Sequence, residues 1–206
     1  KLLLQNMYDQ YEYAADPDEA GWTKEAASQQ AGTNYTFPRY EILRDVIAEY
    51  NNAGQVPWYF EASPSHGLLP LGLARDGLKF KFFGKNLNHQ ALAKLIEWLG
   101  PEIWHPRGPG PDQPTVFGCF ESLEHAMREE SLYESYIKLA IDFDIILLSV
   151  PYACLGGGLP NWKTRRIGHV RGYTQGEFID LANKFFPNRK WTLTKSVSMV
   201  LKGEKK

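Results

Sequence analysis

From Pro38 onward, short apolar runs alternate with helical patterns, and that alternation leaves the chain very few architectures. Ile42, Leu43, Val46, Ile47 and Tyr50 recur at the i, i+3, i+4 spacing of an amphipathic helix that stops at Asn51-Asn52-Ala53-Gly54. VPWYFEA (56–62) reads as a strand, LLPLGLARD (68–76) as a helix, and LKFKFFG (78–84) as a second strand by its strict alternation. HQALAKLIEWLG (89–100) is a helix closed by Gly100-Pro101, and TVFGCF (115–120) is a short strand after a proline-rich loop.

The second half continues the pattern. SLEHAMREESLYESYIKLAI (122–141) predicts a helix capped by Ser122, and FDIILLSV (143–150) is a continuous apolar run of the kind found in a strand covered on both faces. TQGEFIDLANKFF (174–186) predicts a helix with Thr174 as its cap, and KWTLTKSVSMVLKG alternates over a long strand or a hairpin. Strands interleaved with helices in this way imply an α/β fold: a doubly wound, mainly parallel, Rossmann-like sheet with helices on both faces and right-handed crossovers. Residues 51–206 are expected to form that domain. Residues 1–50, with a helix start at Asp16-Pro17, are expected to form a helical N-terminal cap.

Composition narrows the partners. With 23 basic and 24 acidic side chains, the net charge of -1 offers no general attraction to nucleic acid or to an anionic membrane. The two cysteines, Cys119 and Cys154, form neither a disulfide framework nor a zinc spacing and suit a reducing compartment, so a cytoplasmic location is expected. No His, Cys or acid spacing resembles a metal-ligand set, and no apolar run reaches the ~18 residues of a membrane span. KLLLQNMYDQYEYAAD is too short in its apolar part for a signal-peptide core, and from the start at Lys1 without Met a processed or excised piece is expected.

The strand-turn-helix at 58–78 is the most informative stretch, because doubly wound sheets bind ligands where the strand order reverses. Its turn, Glu61-Ala62-Ser63-Pro64-Ser65-His66-Gly67, resembles the acid-x-Gly-x-Gly-x-Gly turn of class I S-adenosylmethionine-dependent methyltransferases, with Ser63 and Ser65 in place of two glycines. Asn86 stands where that family usually has a ribose-binding acid. FDIILLSVPY resembles its fourth strand, with Asp144 at the start, and HVRGYTQGEFIDLANKFFP its stretch before the last helix. The resemblance covers residues 40–202 and implies S-adenosyl-L-methionine as cofactor, with Glu61, Ser63, Ser65, His66, Gly67 and Asn86 lining it. It also implies Tyr152, His169 and Tyr173 facing a small-molecule or nucleotide-like methyl acceptor.

Other functions fit the same residues. Glycines let a backbone approach a cofactor and adopt positive φ at little cost, so two serines in the turn narrow the space for a ligand. That favours a non-catalytic domain that keeps the fold as a structural or protein-partner-binding module. SVPY (149–152) resembles the (Asp/Asn/Ser)-x-Pro-(Tyr/Phe) motif of amino-methylating members, and Trp162, Arg165, Arg166, His169, Arg171 and Tyr173 form a basic-aromatic loop. Together they keep methylation of nucleic acid as a third alternative. Asp144 reads as a residue that caps the start of its strand.

Overall fold

Apolar runs bounded by Gly, Pro and Asn punctuation become strands wherever both faces of the run find a helical partner. The computed structural model describes residues 23–33, 36–62, 64, 67–85, 89–110, 112–125, 137–151, 172–196 and 198–206. Among these, β1 (Trp58–Ala62), β2 (Lys81–Lys85), β3 (Thr115–Phe120), β4 (Ile145–Pro151), β5 (Arg189–Lys195) and β6 (Ser198–Lys205) form one sheet in the order β2-β1-β3-β4-β6-β5. β1 pairs in parallel with β2 and β3, and β3 with β4, whereas β6 runs antiparallel to β4 and β5. The chain's end is therefore the hairpin of the two expected forms, turning where the Ser196 amide donates to the Ser198 carbonyl at 2.9 Å.

Successive strand residues point to opposite faces, which builds two cores. On one face Tyr59, Phe82, Val116 and Leu147 pack under α1 (Lys24–Gln30), α2 (Arg39–Asn52), α3 (Leu68–Arg75) and α4 (His89–Leu99). On the other, Phe60, Phe117, Ile146 and Leu148 pack against Phe178, Leu181 and Phe185 of α5 (Gln175–Phe185). A capping box starts α5: Thr174 Oγ1 accepts from the Glu177 amide at 3.3 Å, and the Glu177 carboxylate accepts from the Thr174 amide at 2.7 Å. α2 supplies Tyr40, Leu43, Val46 and Ile47 to the first core, so this helix packs directly on the sheet. Gly72 of α3 makes that packing close: a Cβ there would meet Ala31 and lie 2.7 Å from the Tyr40 ring.

Between α4 and β3 the chain first runs outward. The Phe82 amide donates to the Ile103 carbonyl at 2.7 Å and the His105 amide to the Phe82 carbonyl at 2.9 Å, a single parallel bridge on the outer edge of β2. It then returns to lay β3 on the other side of β1. The strand order thus reverses between β1 and β3, whose carboxyl ends flank the crevice where such sheets place ligands.

One expected element is described only at its two ends. Of the helix expected over 122–141, a short 3-10 turn spans Leu123–His125, and a helical turn spans Lys138–Ala140. Residues 126–136 lie outside the described residues. Ser122 does not cap: its hydroxyl donates back to the Phe120 carbonyl at 3.0 Å. Glu121, just before it, takes a left-handed φ of 48° as the chain leaves β3.

Candidate functional site at the switch point

Glu61 stands at the carboxyl end of β1, with Gly84 of β2 and Gly118 of β3 as its partners in register. Gly118 is required there, since a Cβ would lie 2.5 Å from the Phe120 ring and 3.1 Å from the Tyr59 hydroxyl. The space so kept lets Tyr59 lie along the strand and donate to Glu61 Oε2 at 2.7 Å. Glu61 is 4 % exposed. Burial pushes its carboxyl up to about 7, against the pull of the Tyr59 hydrogen bond and the Arg39 charge. Burial and the neighbouring carboxylate hold the Tyr59 phenol well above its ordinary value.

The turn after β1 ends at Gly67, whose amide donates to the Pro64 carbonyl at 2.8 Å and whose φ of 71° leads the chain into α3. Only glycine takes that conformation without strain. A Cβ at Gly67 would also drive into the Leu95 side chain of α4. The glycine retained in this turn is therefore accounted for by helix packing as well as by backbone conformation.

β3 ends at Phe120, opposite Ser149 of β4, and Glu121 follows in a left-handed conformation that costs a non-glycine residue about 1–2 kcal/mol. Contacts with β4 hold it there. The Glu121 amide donates to the Ser149 carbonyl and hydroxyl oxygens, both at 3.2 Å, and the Ser149 hydroxyl donates to Glu121 Oε1 at 2.7 Å. Arg39, from the first turn of α2, places Nη1 3.6 Å from the same oxygen. Glu124, one turn further on, is fully buried. Burial raises Glu121, opposed first by Arg39 and then by Ser149 and Ser198. Burial and the Glu121 charge raise Glu124 well beyond the ordinary carboxylate range.

Of the residues expected at the site, Glu61 and Gly67 meet at the carboxyl end of β1. Tyr173 is 1 % exposed in the opposite core, where its hydroxyl donates to the Leu123 carbonyl at 3.3 Å and its ring lies 6.2 Å from Phe178. Tyr152, His169, Ser63, Ser65, His66 and Asn86 lie outside the described residues. Asp144 sits at the far end of the sheet, where Thr115 and Lys205 bond it. Burial pushes the Cys119 thiol far up, so it is inert as a nucleophile.

Sequence reasoning missed Arg39, Glu121 and Glu124, and it marked Ser149 only as the first residue of SVPY. Two signals were present. Arg39 shares the apolar stripe Leu43, Val46 and Tyr50 of α2, an unusual place for a guanidinium. Glu121 directly follows the apolar run TVFGCF, much as Glu61 follows WYF.

No protein-family model matches the chain, and no curated protein matches it either. Solved structures do. The small RNA methyltransferase HEN1 aligns over 82% of this chain with a TM-score of 0.58 and 15% identity, and the chain spans 25% of its length. The methyltransferase domain of a bacterial Hen1 aligns over 81% of this chain and 97% of its own, with a TM-score of 0.57 and 15% identity. Magnesium protoporphyrin IX methyltransferase from Synechocystis PCC 6803, with bound SAH, aligns over 82% and 83%, with a TM-score of 0.50 and 16% identity. This chain has the class I methyltransferase fold.

Proposed function

We propose that the domain binds S-adenosyl-L-methionine at the β1–β3 switch point and transfers its methyl group to a small-molecule or nucleotide-like acceptor. One observation carries the proposal: in a class I methyltransferase fold, the carboxyl ends of β1 and β3 bring Glu61, Gly67 and Glu121 to the crevice where the strand order reverses. The similar fold of a methyltransferase with bound SAH supports this choice of cofactor. The residues present fit such a group in part. The left-handed Gly67 carries the turn into α3 without strain, and Glu61 lies at the strand end as a carboxyl that both donates and accepts near neutrality.

The cofactor, when bound, supplies a sulfonium methyl group open to direct displacement. The protein's part is then alignment of the acceptor. Glu61, Ser63, Ser65, His66, Gly67 and Asn86 would line the cofactor, while Tyr152 and His169 would face the acceptor. Tyr173, buried and bonded to the Leu123 carbonyl, would act by steadying the segment after β3. A cytoplasmic location belongs to the same proposal. Among the described residues no helix is long and apolar enough to cross a membrane.

A second reading, a non-catalytic domain that binds a protein partner, is favoured by Glu61 itself: its carboxyl is buried and already bonded to Tyr59. Calorimetric titration with S-adenosylmethionine and S-adenosylhomocysteine separates the two. A micromolar dissociation constant that is lost in Ser65→Trp, with the thermal midpoint of the free protein unchanged, supports the enzyme. No heat and no thermal shift at millimolar ligand overturns it in favour of the binding module. Binding of a short RNA that weakens steeply with salt would point to a nucleic-acid acceptor.

A further inference from the structure

We propose that Arg39 is the positioning residue of this crevice: with Ser149 it holds the Glu121 carboxylate, and the left-handed backbone beneath it, in place at the β1–β3 switch point. The site proposed above gives this role its purpose, but the geometry and its test concern the protein alone. Arg39 is 4 % exposed and comes from α2, an element the sheet topology does not require. Its Nη1 and the Ser149 hydroxyl converge on one oxygen, Glu121 Oε1, at 3.6 and 2.7 Å. The strained φ of Glu121 persists because both its amide and its side chain are held by β4.

The guanidinium also faces an excess of acid. Glu121 meets Arg39 from α2, Ser149 from β4, Ser198 from β6, and Glu124 from the turn that follows it. Glu61 of β1, bonded to Tyr59, also feels the Arg39 charge, and Cys119 of β3 lies within reach of both Glu61 and Glu124. Among the described residues these buried carboxyls share the Arg39 cation, and closely spaced buried carboxyls do not all ionise together. Arg39 Nη1 lies 3.6 Å from Glu121 Oε1, so this cation favours the ionised form of Glu121, while burial favours the protonated forms of Glu61 and Glu124.

A double-mutant cycle between Arg39→Gln and Glu121→Gln, measured by chemical denaturation, tests the inference. The coupling should be about tenfold or more in the folding equilibrium constant, because removing either partner leaves the other as an uncompensated buried charge. Arg39→Lys should recover part of it. A coupling near zero would mean that Arg39 serves packing alone, which overturns the proposal. If Arg39→Gln fails to fold, carboxyl-carbon NMR titration of the wild-type protein decides: Glu121 must lose its proton at lower pH than Glu61 and Glu124. Titration of Glu121 together with or after Glu61 sinks the idea. Failure of the wild-type protein to bind S-adenosylmethionine would remove the proposed function and leave both measurements standing.

Discussion

The two ends of the strands treat charge in opposite ways. At the amino ends of the parallel strands, the charges of Asp144 and Arg189 meet answering groups. Asp144 accepts from the Thr115 amide at 2.9 Å, from its hydroxyl at 3.0 Å, and from Lys205 Nζ at 2.9 Å. Arg189 donates to the carbonyls of Asp144 at 2.7 Å, Ile141 at 3.0 Å, and Phe143. At the carboxyl ends, Glu61, Glu121 and Glu124 gather around Arg39, and burial leaves all three carboxyls above their ordinary range. Both ends are built from apolar strands that stop at polar residues. The difference is that one end holds the sheet together, whereas the other keeps protonatable groups where a ligand would enter.

This contrast can be broken most directly at Arg189. Arg189→Met leaves the carbonyls of Ile141, Phe143 and Asp144 without their charged donor, and about 3 kcal/mol or more of stability should be lost in denaturant unfolding. The loss should be nearly the same from pH 5 to pH 9, because a guanidinium does not titrate there. Next in size is Gly67→Val. It should cost about 2–4 kcal/mol, from the positive φ and the collision with Leu95 together. Adding Leu95→Ala should relieve the steric share of Gly67→Val but not the backbone share, a difference that the same unfolding measurement resolves.

The smaller effects sharpen the comparison through their signs. Glu61 is raised from 4.5 to about 7, so the folded state binds a proton that the unfolded state has released. Its contribution is complete below about 4.5 and is lost as pH rises through 7. Glu61→Gln should therefore flatten the fall of stability between pH 5 and 8, a gain of about 2 kcal/mol at pH 8 by thermal or chemical unfolding. Asp144 has the opposite sign. Burial works to raise it, but bonds from Lys205 and Thr115 outweigh burial and leave it low. Its stabilisation is present above its unfolded value near 3.8 and disappears as pH falls. Because the Asp144 side chain is 39% exposed, Asp144→Asn should change stability by about 1 kcal/mol or less, and less still in high salt. Identical pH slopes for the two variants would show that the ends do not differ as described.

Much of the fold was legible in the chain itself. TVFGCF became β3 residue for residue, and Thr174 caps α5 as its place before Gln-Gly-Glu implied. These features are local: period, capping and turn chemistry act over a few residues. Glu61 and Gly67 were legible for the same reason, since a strand, a turn and a helix lie together in sequence. The left-handed conformation of Glu121 was not, because it is held by Ser149, a residue 28 positions away. Arg39 could be noticed as a charge on an apolar stripe, but nothing nearby in the sequence names its partner.

The sequence by itself determined the alternation of strands and helices, and through it a doubly wound sheet whose first turn ends at a glycine. The tertiary structure alone decided that Arg39, Glu61, Glu121, Glu124 and Ser149 share one buried region at the strand ends. The physical reason is that strand order and crossover direction bring residues 39, 61, 121 and 149 together, while the ionisation of each depends on burial and on its neighbours' charges. Neither exists until the chain has folded.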